Sequence, residues 1–178
     1  MLALFLLEAL LLGRPTAEVH ATSSSAPSTP AFSPEPFNRP HQRSIYQEMR
    51  NVVGRVSRLR DREKDRIPEP AREPVRRVLA LEAKIVERFH GILHPIHGGW
   101  RIRIHGDYHL GRLFHTGKDF VVSDFDGEPG RTMADRRVKR LPLRDLASMI
   151  RSFDYAVQTT LLGLGSHRGR AQGVIRDE

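Results

Sequence analysis

Acidic side chains are concentrated between residues 105 and 130, in the segment HGDYHLGRLFHTGKDFVVSDFDGEPG. The protein as a whole has a formal net charge of +8, yet this segment holds Asp107, Asp119, Asp124, Asp126 and Glu128. Neighbouring carboxylates can accept a proton from a hydroxyl group and hold a divalent cation against phosphate groups. The alternative interpretation is a solvated hairpin whose turns are acidic.

The spacing of two predicted strands distinguishes Asp107 and Asp124 from the other acids. Residues 100–104 alternate apolar and polar side chains, which is typical of a strand, and Asp107 follows two residues after His105. A second strand over residues 120–123 leads directly into Asp124. We expect the two strand ends to lie side by side and to bring both carboxylates to the same edge of the β region. There one Asp would accept a hydroxyl proton while the other holds magnesium.

The remaining patterns predict helices around this β region. Residues 41–60 and 71–93 have apolar side chains at helical spacing, and a last helix is expected after Pro142. Residues 116–119 predict a hairpin turn between two short strands. We interpret the following apolar side chains as core positions of these helices: Ile45, Met49, Val52, Val53, Val56, Leu59, Val75, Val78, Leu79, Ile85, Phe89, Leu93, Leu146, Met149, Ile150, Phe153 and Val157.

The two ends of the chain and the Pro-rich segment complete the predicted organisation. The apolar start, residues 1–20, is expected to be a buried helix stopped by Gly13 rather than a signal peptide, because Glu8 interrupts it and no positive charge precedes it. Residues 21–40 are rich in Ser, Thr and Pro and predict a loop. The tail, residues 161–178, has no periodicity and is expected to fray.

Composition restricts the classes of function. The 178 residues suggest a single domain, and the basic excess comes from 25 arginines and only four lysines spread over several helices. No aromatic-rich RNA motif or zinc-finger spacing accompanies this charge, so we do not expect nucleic-acid binding. Cysteine is absent, which excludes thiolate catalysis and disulfides. The apolar start is too short to span a bilayer, and we expect a cytoplasmic protein without a membrane partner.

Several motifs together resemble a known family of kinases. The run from His105 through Asp107 and His109 to Gly111 is similar to the catalytic loop of the aminoglycoside-phosphotransferase-like kinases, and residues 124–126 resemble their metal-binding segment. Longer runs, such as LGRPTAEVH, PAFSPEPFNRPHQRSIYQEMRN and RRVKRLPLRDLASMIRSFDYA, resemble the maltokinases within that superfamily. The resemblance covers most of residues 9–157.

The resemblance implies a fold, an activity and roles for individual residues. The fold would be α+β and mainly helical, the C-terminal lobe of a protein-kinase-like fold in which residues 99–128 form a small catalytic β region. The activity would be transfer of the γ-phosphate of ATP to the anomeric hydroxyl of maltose, with trehalose synthase as a possible partner and glycogen biosynthesis as the setting. By position, Asp107 would be the catalytic base, Asp124 and Asp126 would bind Mg²⁺, and His105 would brace the loop. His109 would support Asp107, while Arg144 and Asp145 would tie the last helix, within residues 129–160, to the active-site loops.

Two departures from the family pattern stand out. The family places an amide five residues after the catalytic Asp, where this chain has Arg112, and a guanidinium has only hydrogen-bond donors. Arg112 would either supply part of the positive charge of the magnesium ion or prevent the metal from binding. No five-stranded sheet or Gly-rich phosphate loop is recognisable before residue 100, where residues 41–98 read as helical. We therefore expect one partial lobe that transfers no phosphate until a nucleotide-binding N-terminal lobe is supplied.

Two other functions stay open at this stage. One is a different small-molecule kinase that acts on an aminoglycoside or a choline-like compound. The other is a non-catalytic pseudokinase or interaction module associated with trehalose synthase, which Arg112 and the missing lobe would favour.

Overall fold

The computed structural model describes residues 2–94, 98–161 and 163. It is mainly helical with two small two-stranded sheets, which confirms the predicted α+β class. The helices and strands are α1 (Leu2–Thr22), β1 (Glu35–Pro36), α2 (Arg39–Glu63), α3 (Glu69–Ala80), α4 (Glu82–Phe89), β2 (Trp100–Arg101), β3 (Leu113–His115), β4 (Phe120–Val122), α5 (Met133–Arg137) and α6 (Leu143–Leu161). Short 3₁₀ helices cover Lys64–Arg66, His90–Leu93 and Leu110–Arg112.

The chain forms two compact units, of which the first comprises Met1–Glu35 with Trp100–Glu178 and the second Pro36–Gly99. Unit 1 contains the acidic segment, and unit 2 contains α2, α3 and α4. The assignment of the whole chain to one partial kinase lobe stays a prediction. None of the helices among the described residues has the length and apolar character needed to cross a membrane.

The core of unit 1 is built where α1, α6 and the β3–β4 hairpin meet. Leu12, Tyr108 and Met149 are buried at its centre. Half-buried apolar side chains pack around them, namely Leu110, Leu113, Phe120, Val122 and Phe153. Phe120 and Val122 alternate with the exposed Val121, as expected for a strand with one buried face.

The predicted helix over residues 1–20 is present as α1, but the predicted stop at Gly13 is wrong, because α1 runs past Gly13 and Pro15 to Thr22. Proline removes a backbone donor from a helix and its ring crowds the carbonyl four residues earlier. In this turn the Thr16 hydroxyl donates to the Leu12 carbonyl at 2.8 Å. Thr16 and Leu12 are both buried. Tertiary packing therefore outweighs the local preference of glycine and proline to end a helix.

The predicted helix over residues 71–93 is wrong as a single element. It is divided by a turn at Leu81 (φ −92°, ψ 0°), whose N–H bonds to the Val78 carbonyl, three residues back, so that α3 ends and α4 begins there. The chain then continues as α4 and a 3₁₀ turn.

Most of the apolar side chains predicted as core in unit 2 are also not buried. Gln42 is buried and donates to the carbonyls of Ile92 and His94, whereas Val56 and Val78 are 52% and 58% exposed. The one long helix α2 and the two short helices α3 and α4 do not cover the apolar stripes that the sequence predicts.

The stability of unit 1 is predicted to fall at high pH because Tyr108 is buried. Its side chain is 2% exposed, and its hydroxyl lies 2.7 Å from Thr16 Oγ1. Burial raises the pKa of Tyr108 above its usual value of about 10, although the hydrogen bond to Thr16 opposes the shift. Because the neutral phenol is favoured in the folded state, this stabilisation is complete below about pH 10 and is lost as the pH rises towards the folded pKa.

We therefore expect the free energy of unfolding of the wild type to fall as the pH rises above about 10. The fall should be steeper than in Tyr108→Phe by up to about 1.4 kcal/mol per pH unit, because the variant has no phenol to ionise. Urea unfolding between pH 8 and pH 11.5 measures this difference. Tyr155→Phe is the control, because Tyr155 is 62% exposed on α6. Parallel pH curves for the wild type and Tyr108→Phe would contradict the prediction.

Candidate active site

The loop that carries Asp107 is fixed by buried polar contacts on both sides. Asp145, at the start of α6, accepts hydrogen bonds from the backbone N–H groups of His105 at 2.9 Å and Gly106 at 3.0 Å. The His105 ring accepts from the Asp107 N–H through Nδ1 at 3.3 Å, so its proton is on Nε2 and is donated to the Ser123 carbonyl at 2.9 Å. Both His105 and Asp145 are 1% exposed. The direction of Asp107 is thus set by α6 and by the end of β4.

The second loop passes close to the first. Gly106 has a φ of +84°, and a Cβ atom placed on it would lie 3.4 Å from the Cα atom of Gly127. Glycine at these positions lets the backbones of the two acidic loops approach each other. The Phe125 ring lies against His105, with 4.8 Å between the ring centroids.

Asp124 occupies a strained backbone position directly after β4. Its φ of +63° makes it the one non-glycine residue with a positive φ among the described residues. The left-handed region costs a non-glycine residue about 1–2 kcal/mol, although Asp and Asn tolerate it better than most. Such strain is often found at functional sites. Here it turns the Asp124 side chain back towards Arg112.

Arg112 brings the two predicted carboxylates together. The Ser123 N–H donates to the Arg112 carbonyl at 2.9 Å, which extends the pairing of β3 with β4 by one residue and puts Arg112 beside Asp124. The Arg112 Nη2 atom donates to Asp107 Oδ2 at 2.6 Å, Nε lies 3.2 Å from the same oxygen, and Nη1 contacts Asp124 Oδ2. The hydrogen bond to Asp107 is the main cause that raises the pKa of Arg112, and the charges of Asp124, Asp107 and Asp126 add to it. Two carboxylates therefore share one guanidinium.

Two other predicted site residues, His109 and Asp126, lie next to this group, and His109 contacts it. His109 Nδ1 accepts from the Gly111 N–H at 3.1 Å, and its Nε2 atom is 3.5 Å from Asp107 Oδ2. Asp126 is exposed, and its carbonyl oxygen accepts from Arg136 at 3.3 Å. The catalytic, metal-binding and bracing roles assigned to these residues from sequence stay predictions.

Arg144 is turned towards a different partner. Its Nη2 atom donates to Glu128 Oε2 at 3.0 Å, and Arg131 Nε donates to the same oxygen at 3.0 Å. Glu128 thereby connects the second acidic loop to the start of α6.

Sequence reasoning missed one member of this network. His20 Nε2 lies 3.0 Å from Asp145 Oδ2, across 125 positions of sequence. His20 ends the run LGRPTAEVH that carries part of the family resemblance, but no local pattern links it to Asp145. α1 therefore helps to support the loop that carries Asp107 and is also part of the core.

The arrangement does not fit a magnesium ion between Asp107 and Asp124. Mg²⁺ requires close octahedral coordination by oxygen atoms, and the Oδ2 atom of each carboxylate is engaged by a guanidinium that can only donate. Within residues 2–94, 98–161 and 163, no group of three or more His, Cys, Asp or Glu side chains is placed to hold a metal.

Comparison with known proteins identifies the fold. A scan of protein-family models finds no match. Three solved structures of glucosamine kinase are similar, with TM-scores of 0.58, 0.59 and 0.58 at 20%, 21% and 18% identity. The third is a complex with glucosamine, ADP and inorganic phosphate. The matches cover 83–85% of this chain but only 34% of each glucosamine kinase chain. The chain thus shares the fold of about one third of a sugar kinase.

Proposed function

We propose that this chain contributes the hydroxyl-activating part of an ATP-dependent sugar phosphotransferase. The observation that carries the proposal is the convergence of Asp107, from the loop after Ile104, and Asp124, from the loop after β4, on one half-buried guanidinium. The fold shared with glucosamine kinase supports the same class of reaction. The chain spans 34% of the length of those kinases, so the activity of a whole kinase is part of the proposal.

Asp107 is the proposed proton acceptor. Its ion-pair contacts with Arg112 and His109 are made through Oδ2 in the part of the chain that the structure describes, which leaves Oδ1 to face an incoming sugar hydroxyl. As the hydroxyl oxygen forms a bond to the γ-phosphorus of ATP, its proton passes to Asp107 and the bond to ADP breaks. His105 and Asp145 hold the carboxylate in place during this step.

Maltose is the proposed acceptor, on the strength of the sequence runs that resemble maltokinases. The similar glucosamine kinase, which is bound to glucosamine, ADP and phosphate, supports the broader class of small sugars with ATP as donor. A second candidate is a non-catalytic module that docks on trehalose synthase. The pairing of Arg112 with both carboxylates favours it, because it neutralises groups that catalysis requires.

A substrate panel tests the proposal. The chain, alone and joined to the N-terminal lobe of a glucosamine kinase, is incubated with γ-labelled ATP and maltose, glucosamine, an aminoglycoside or choline. We expect labelled sugar phosphate from the joined protein only, with maltose as the preferred acceptor. Preferential labelling of the aminoglycoside or choline would indicate a different small-molecule kinase. An unlabelled panel, together with co-purification of trehalose synthase without nucleotide binding, would support the non-catalytic module.

A further inference from the structure

Arg112 is held between the two carboxylates by the fold. The 3₁₀ turn Leu110–Arg112 returns the chain towards Asp107, and pairing with Ser123 sets Arg112 beside Asp124. Its side chain is 25% exposed, compared with 21% for Asp107 and 36% for Asp124. A half-buried ion pair of this kind is screened by solvent less than a surface pair.

The guanidinium and a divalent cation would compete for the same atoms. Each carboxylate uses Oδ2 to accept from Arg112, and a cation that bridged the pair would require oxygens in the same space. Charge adds to this competition, because a divalent ion next to a guanidinium within a few ångströms is strongly repelled. Binding of the ion therefore requires the loss of two charge-assisted contacts.

We propose that Arg112 is an internal cation that takes the place of a divalent metal between Asp107 and Asp124, and so keeps the site closed to Mg²⁺. The proposal rests on the proposed function for the identity of the metal, and it names the regulation of that site. The arginine closes the site to a free ion while it is paired, and in the joined protein the phosphates of ATP, which bring Mg²⁺ with them, would draw the guanidinium away from the carboxylates.

The alternative is that Arg112 rotates away at little cost whenever a cation arrives. The two possibilities differ in the affinity of the unmodified protein for a divalent ion, which can be measured without turnover. A failure of the sugar panel would therefore contradict the proposed function alone, whereas cation binding tests the role of Arg112.

The experiment measures Mn²⁺ binding by electron paramagnetic resonance, with Mg²⁺ as competitor, in the 178-residue chain. The variants are Arg112→Gln, Asp124→Asn, the two changes combined, and Arg151→Gln. Arg151 is exposed on α6, so its replacement lowers the net charge equally but leaves the acidic loops unchanged. We expect Arg112→Gln to bind Mn²⁺ about tenfold or more tightly than the wild type, since two charge-assisted contacts no longer oppose the ion. Asp124→Asn should abolish that gain, and Arg151→Gln should bind like the wild type.

Two outcomes would overturn the proposal. One is tight Mn²⁺ binding by the wild type that Asp124→Asn alone removes, which would show that Arg112 does not close the site. The other is a folded Arg112→Gln variant that binds no more tightly than Arg151→Gln. Circular dichroism checks folding, and the wild-type measurement decides the question by itself if Arg112→Gln does not fold.

Discussion

Asp107→Asn is expected to lower the rate of phosphate transfer to the sugar by about 10²- to 10⁴-fold in the joined protein, the range typical of a lost general base. An amide cannot accept the hydroxyl proton, although it matches the carboxylate in shape. The His105 and Asp145 contacts that hold the loop are made with backbone groups and are unaffected by the change. The loss should therefore appear in kcat, while the KM for the sugar changes little.

Asp154→Asn is the matched control, because Asp154 is an exposed acid on α6 in the same unit. The initial rate with γ-labelled ATP and the melting temperature are measured for both variants. A turn-forming role for Asp107 would lower the melting temperature and leave the rate of the folded protein within about a factor of three of the wild type, which would contradict its assignment as the base.

The acidic hairpin could be predicted from sequence because its determinants are local. The turn at residues 116–119 contains Gly117, whose φ of +87° suits glycine, and the apolar residues on either side pair as β3 and β4. The prediction of a strand over residues 100–104 was less accurate. β2 covers only Trp100–Arg101 and is followed by a single bridge from Ile102 to Arg140. Pairing with a residue 38 positions away cannot be recognised from an alternating pattern.

The acidic residues of the site could be predicted from the sequence, but the pairing of Arg112 with them could not. The sequence identifies Arg112, five residues after Asp107, as a departure from the family pattern, but it does not decide between replacement of the cation's charge and loss of metal binding. The outcome depends on the register of β3 with β4 and on the left-handed backbone of Asp124, and neither follows from the spacing of the residues. The contact between His20 and Asp145 was unpredictable for the same reason, because it joins the first helix to the last.

Helical spacing overstated the buried core. Ile150, predicted as a core residue of α6, is 70% exposed, while Met149 beside it is 5% exposed. The apolar spacing predicts a wide buried stripe, whereas α6 buries only Asp145 and Met149, with Phe153 half-buried beside them. The width of the buried face depends on how many partners a helix has, which the helix's own sequence does not specify.

Asp145→Ala is expected to have the largest effect on stability. The carboxylate is 1% exposed and accepts three hydrogen bonds, from the His105 and Gly106 N–H groups and from His20. Removal of the acceptor leaves buried donors without a partner, each at a cost of about 1–3 kcal/mol. We therefore expect the free energy of unfolding to fall by about 3–5 kcal/mol, the range seen when one partner of a buried ionic group is removed.

Urea unfolding followed by circular dichroism measures this loss, and Asp154→Ala on the exposed side of α6 is the control, with an expected change within about 0.5 kcal/mol. Asp145→Asn separates charge from shape. It retains one acceptor oxygen but turns an amide group towards a backbone N–H, so a smaller loss of about 1–3 kcal/mol is expected. Equal stability of Asp145→Ala and Asp154→Ala would contradict the view that α6 anchors the Asp107 loop through this side chain. A stable Asp145→Ala protein would also mean that the direction of Asp107 is set from the His105–Ser123 side alone.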